Sequence, residues 1–103
     1  MRVVWSKLAE KRMDDVFEWY ERKNKSVAIK IYNEILDSVE ILKTFPYIAA
    51  IEPLLVDCAK TYRSLVVKSL FKIVYRIENE DIYIVTVWNC RQKPNNLRGE
   101  IGE

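Results

Sequence analysis

A chain of 103 residues, 50% hydrophobic and 31% charged, has room for one domain with one core and carries no signature of disorder. Its net charge of +2 is too small to name a partner, and it contains no histidine. That absence removes the ordinary general base near neutral pH, the Ser-His-Asp and Cys-His nucleophiles, and most zinc sites.

No apolar run approaches the roughly 18 residues needed to cross a bilayer, and the start lacks the apolar stretch of a signal peptide. We therefore expect a cytoplasmic protein with no membrane partner. Cys58 and Cys90 stand far apart, outside any CxxC pair, and read as reduced thiols. Both glycines fall in the last five residues, so there is no Gly-rich phosphate loop. We expect no metal and no cofactor. Charge is uneven: residues 1–57 carry a net −1 and residues 58–103 a net +3. The basic half favours an anionic partner.

In chain order, Arg2-Val3-Val4-Trp5 reads as a short strand. Ser6 can cap a helix, and Ala9, Met13, Val16 and Tyr20 then recur in steps of three and four to about Arg22. Asn24-Lys25-Ser26 interrupts that pattern. Ala28, Ile31, Ile35, Val39 and Leu42 continue a second helix to about Lys43, with Ile29, Tyr32 and Leu36 widening its stripe. So wide a stripe suits a helix buried against two neighbours, the first helix and a sheet. The short connection predicts an antiparallel helical hairpin. Pro46 ends the second helix, because the residue before a proline is pushed out of the helical region. Tyr47 to Asp57 is apolar without periodicity and reads as an ordered loop.

From about Ala59 the texture turns to β. Tyr62 to Val67 is a strand, and Lys68-Ser69 forms a tight turn without a glycine. Phe71, Ile73, Tyr75 and Ile77 alternate with Lys72, Val74, Arg76 and Glu78, the clearest pattern in the chain. Glu78 to Asp81 is a hairpin turn in which Asn79 can take positive φ, and Ile82 to Trp88 returns as the last strand. The order β-α-α-β-β-β predicts an α+β fold, a small, mainly antiparallel sheet packed on one face by the helical hairpin. One domain spans residues 1–103, with a tail from about residue 92 that is flexible or ordered only on a partner.

Alternation has a functional consequence. If Phe71, Ile73, Tyr75 and Ile77 face the helices, Lys72 and Arg76 point to the other face, which no helix is left to cover. Arg63 joins them from the preceding strand, with Arg91, Lys93 and Arg98 beyond the last. Two readings stand open: ordinary solvated strand residues, or a surface that binds phosphates or an acidic partner. Tyr62, Tyr75, Tyr83 and Trp88 either stack on bases or pack the core.

The element order β-α-α-β-β-β, the Phe45-Pro46 helix ending, Tyr62-Arg63-Ser64-Leu65, Phe71 to Ile77, Ile82 to Trp88 and the closing Cys90-Arg91-Gln92-Lys93-Pro94 together resemble the RelE/ParE toxins of type II toxin–antitoxin (plasmid stabilisation) systems. The resemblance covers nearly the whole chain. It implies a bacterial growth-inhibiting toxin held inactive by a cognate antitoxin, as a homodimer or a toxin–antitoxin hetero-oligomer. RelE-like members cut mRNA on the ribosome with basic sheet residues, whereas ParE-like members inhibit DNA gyrase by binding. Carried over to this chain, the RelE pattern makes Arg63, Lys72 and Arg91 the candidate catalytic residues. Leu65 stands where that pattern has a second lysine, Lys72 replaces an arginine that holds the phosphate, and no tyrosine follows Pro94. These departures favour the ParE-like branch, with a RelE-like ribosome-dependent ribonuclease and a degenerate, non-toxic family member as the alternatives. In that branch Arg63, Lys72, Arg76, Arg91, Lys93 and Arg98 are the candidate partner-binding residues.

Overall fold

The computed structural model describes residues 1–102. Its elements are β1 (Arg2–Trp5), α1 (Lys7–Glu21), α2 (Lys25–Thr44), a 3-10 turn (Pro53–Leu55), β2 (Arg63–Val67), β3 (Phe71–Glu78), β4 (Asp81–Asn89) and α3 (Asn95–Ile101). The four strands form one sheet in the order β1-β4-β3-β2. Only the β1–β4 pair is parallel. This is the α+β layer arrangement expected from the pattern, with a third helix added.

Local chemistry explains the joints. Ser6 is extended, and its hydroxyl accepts from the Ala9 N–H at 2.9 Å while donating to the Val85 carbonyl at 2.7 Å. One side chain thus starts α1 and ties it to β4. Asn24 caps α2 through the Val27 N–H. Tyr75, buried on the sheet, donates its hydroxyl to the Pro46 carbonyl at 2.7 Å and anchors the chain where α2 ends.

The hairpin packs on one face of the sheet. Ala9 and Met13 from α1, and Ile31, Ile35, Val39 and Leu42 from α2, meet Val67, Phe71, Ile73, Tyr75, Ile82, Ile84 and Val87 in the main core. A bulge between Val74 and Tyr75 leaves Val85 unopposed on β4. The extra residue keeps both Ile84 and Val87 on the core side. Asn79 and Glu80 both take positive φ in the two-residue β3–β4 turn, matching the right-handed twist of the strands it joins.

The tail departs from expectation. Residues 95–101 form α3, and Leu97 is fully buried against the sheet face that faces away from the hairpin. Two apolar side chains, Leu97 and Ile101, in a short polar stretch are too few to set a helical period against the background, so the pattern did not announce it.

Candidate functional site

The face expected to lie open is partly covered. Leu55, Tyr62, Val74, Trp88 and Leu97 form a second, smaller core there, with Cys58, Val85 and Ile101 packed around it. The segment after α2 and the tail helix supply this cover. Tyr62, Tyr75 and Trp88 are therefore core residues. Tyr83, the fourth aromatic of that set, stays partly exposed under the Arg76 guanidinium, 4.4 Å from its ring centre.

Glu52 pins the cover to the sheet. Its side chain is fully buried. One carboxylate oxygen accepts from the Lys72 ammonium at 2.5 Å and the Ser64 hydroxyl at 3.1 Å, and the other accepts from the Leu54 N–H at 2.9 Å. Burial alone would raise this carboxyl's pKa. The Leu54 N–H and the Lys72 and Ser64 donors outweigh burial and hold it below the usual glutamate range. Sequence reasoning passed over Glu52. The one local signal was Pro53, a residue favoured at the first position of a helix and so marking Glu52 as its cap.

The predicted basic residues do not converge. Lys72 and Arg76 face outward as expected, but Lys72 is spent on Glu52 and Arg76 pairs with Glu78. Arg63 is opposite Tyr75, so it lies on the hairpin side of the sheet and not beside Lys72. There its guanidinium donates to the Ala49 carbonyl at 2.7 Å and lies 5.1 Å from the Tyr47 ring centre. The cause is the β2–β3 turn. Val67 pairs with Phe71 across three residues rather than two, which shifts the register by one and turns Arg63 to the other face. Arg98 pairs with Asp57. Arg91 and Lys93 are exposed in the turn after β4, and the Arg91 guanidinium lies 5.7 Å from the Trp19 ring centre.

A different surface stands out. Phe45, Tyr47, Ile48, Ile51, Leu54 and Val56 are all exposed along the segment after α2. Val66 adds to them from β2, an edge strand of the sheet. Clustered exposure of this kind marks interaction surfaces. Among the described residues no cluster of acidic or cysteine side chains is placed to hold a metal, and no helix is long and apolar enough to cross a membrane.

Comparison with known proteins gives this geometry its context. Residues 3–94 match the family model of the ParE toxin of the type II toxin–antitoxin system parDE. The chain belongs to the ParE toxin family. Among solved structures it resembles a chain of the chromosomal ParDE toxin–antitoxin system from P. aeruginosa, with a TM-score of 0.72 and 20% identity. That match covers 86% of this chain and 95% of the other, and it shows a shared fold. No curated protein matches. Membership in the ParE family makes this chain the toxin of a type II toxin–antitoxin pair and implies a cognate antitoxin as its partner.

Proposed function

We propose that this ParE-family toxin acts by binding DNA gyrase in the cytoplasm, without cutting RNA, and that its antitoxin works by covering the surface used. The observation that carries the reading is the dispersal of the cations. Cleavage of an RNA backbone needs donors gathered around one phosphate, each worth about 3 kcal/mol or more of barrier. Here Arg63 and Lys72 lie on opposite faces of the sheet, Lys72 is committed to a buried carboxylate, and Arg91, just past the end of β4 that pairs with Lys72, has its guanidinium against the Trp19 ring of α1. A binding activity has a better candidate in the apolar strip from Phe45 to Val56. An antitoxin segment with apolar side chains laid over that strip neutralises by occupancy.

The test uses purified gyrase and the full chain. We expect inhibition of supercoiling, and its loss in an Ile48→Asp, Val56→Asp double variant that keeps its circular dichroism spectrum. Both side chains are exposed, so the variant leaves the core untouched. Intact gyrase activity together with mRNA cuts on translating ribosomes would reverse the proposal.

A further inference from the structure

Positive charge collects at one end of the helical hairpin. The junction of α1 and α2 carries Arg22, Lys23 and Lys25, and the turn after β4 carries Arg91 and Lys93. All five residues are exposed, and among the described residues none is paired with a carboxylate. Residues 19–25 and 89–94 hold these five cations against one acid, Glu21, while the rest of the chain is net negative. Elsewhere most cations are paired, as Arg2, Arg12, Lys43, Lys60, Lys68 and Lys72 are. Surfaces ordinarily mix the two signs, and a field of one sign is the exception.

Trp19 draws the two turns together. Lys23 Nζ lies 3.9 Å and the Arg91 guanidinium 5.7 Å from its ring centre, so the two cations stand within about 10 Å of each other. That is about one Debye length at 0.1 M salt, so their fields add. Both turns are fixed in place. The Lys23 and Asn24 N–H groups donate to the Tyr20 carbonyl at 3.0 and 2.9 Å, and the Arg91 N–H donates to Asn89 Oδ1 at 2.9 Å. Helix electrostatics explain only part of the cluster. The end of α1 favours Arg22 and Lys23, but Lys25 opens α2, where a cation is disfavoured and no acid sits in the first turn. Arg91 and Lys93 belong to no helix.

The partner must therefore be an extended anion that needs little apolar cover. Within these two turns Trp19 is the one exposed large apolar side chain. Protein interfaces are depleted of charge at their centre, whereas interfaces with nucleic acid are polar and strongly cationic. The apolar strip suited to a protein lies elsewhere. It begins at Phe45, beyond the far end of α2, and a helix of 20 residues spans about 30 Å. We propose that this basic end binds the phosphodiester backbone of a nucleic-acid duplex through Arg22, Lys23, Lys25, Arg91 and Lys93. Contacts of this kind go to phosphates and carry no sequence preference. The separation leaves the strip free for a protein while the duplex is held, so the toxin can engage both at once.

The proposal does not rest on the gyrase reading, because the duplex is bound by the chain alone. Its test is fluorescence anisotropy of a labelled DNA duplex of about 20 base pairs, titrated with the full chain between about 50 and 200 mM salt. We expect a Kd of roughly 10⁻⁶–10⁻⁴ M near physiological salt. The affinity should fall with a log–log salt slope between about −2.7 and −4.5, three to five phosphate contacts at about −0.9 each. A Lys23→Glu, Arg91→Glu double variant should bind about tenfold or more weaker and lose about two from that slope. Lys7→Glu with Lys43→Glu changes the net charge equally at the far end of the hairpin and should stay within about threefold of the parent. A Lys23→Gln, Arg91→Gln variant repeats the test without reversed charges near the two turns. On the wild-type chain the Trp19 indole N–H resonance should shift as phosphate draws Lys23 off the ring. A parallel RNA duplex separates the two sources: the tighter duplex is the one served, and equal affinity leaves the shared backbone as the ligand. No binding at about 50 mM salt and 100 µM chain, a flat salt dependence, or an equal loss in the far-end variant would overturn the proposal. So would tighter binding of a polyglutamate peptide of the same charge, which would assign the end to an acidic protein.

Discussion

The two faces of the sheet are built on different principles. The hairpin face buries a continuous core contributed by two long helices and every strand. The opposite face buries five residues under a short turn and a seven-residue helix, and it relies on Glu52 to Lys72 and Arg12 to Glu100 to hold them. Apolar area stabilises the first without direction. Directed polar contacts position the second, each resting on one or two side chains. The hairpin face should thus set the global stability, and the opposite face should open locally at lower cost.

The sharpest way to break this contrast is a pair of truncations. Phe71→Ala empties a fully buried site in the main core and should cost about 3–5 kcal/mol, read from urea unfolding. Leu97 is as deeply buried, yet Leu97→Ala should cost less, because α3 can detach while the sheet stays folded. Hydrogen exchange would then show residues 95–101 losing protection first. Equal losses of global stability from the two variants would mean that the faces form one cooperative unit.

A smaller effect is expected at the clasp. Glu52→Gln leaves the Lys72 ammonium without its counter-charge. Breaking a fully buried pair costs about 3–5 kcal/mol; here about 2–3 is expected, because Lys72 keeps 24% of its side chain in water. Combining Glu52→Gln with Lys72→Met should recover part of the loss, since neither charge is then stranded. A purely additive double variant would show that the two side chains do not act as a pair.

The same carboxylate makes acid act unequally on the two faces. The Glu52 pKa is held below its ordinary value in the folded chain, so the unfolded chain takes up the proton first. Its contribution is present above about pH 4.3 and is lost as pH falls through the folded value. Fluorescence of Trp88, which sits in the outer core, should change at a higher pH than the helical circular dichroism signal does. Glu52→Gln should remove that separation. Coincident acid transitions in the parent chain would argue against a separately held outer face.

How much of this was legible in the sequence follows the same division. The helix stripes and the alternation from Phe71 to Ile77 are local, and the helices and strands lie close to where those patterns put them. The outer face depends on pairings that no local pattern carries. Arg12 and Glu100 are 88 residues apart, and Glu52 reaches Lys72 across 20. Arg63 is the instructive error. Its strand was readable, but its face depended on whether the turn after Val67 held two residues or three. A one-residue slip exchanges every side chain between faces. The basic surface drawn from parity therefore included a residue that belongs on the other side, and it left out the acids that pair with Lys72, Arg76 and Arg98.

The mildest test concerns Arg98, because the pair it forms with Asp57 looks on inspection like part of the cover's attachment. The guanidinium meets the carboxylate at 2.9 Å, and the Asp57 pKa is lowered chiefly by that hydrogen bond. Both side chains are nevertheless largely in water, at 45% and 64% exposure. Screening and the entropy of fixing two long groups offset most of what an exposed pair gains. Arg98→Ala should leave Tm unchanged, and α3 should keep its protection through Leu97 and the Arg12–Glu100 contact. Arg98→Ala releasing α3 as readily as Leu97→Ala does would reverse the ordering. The outer face would then be held by its surface charges, and its small core would be a consequence of the attachment instead of its cause.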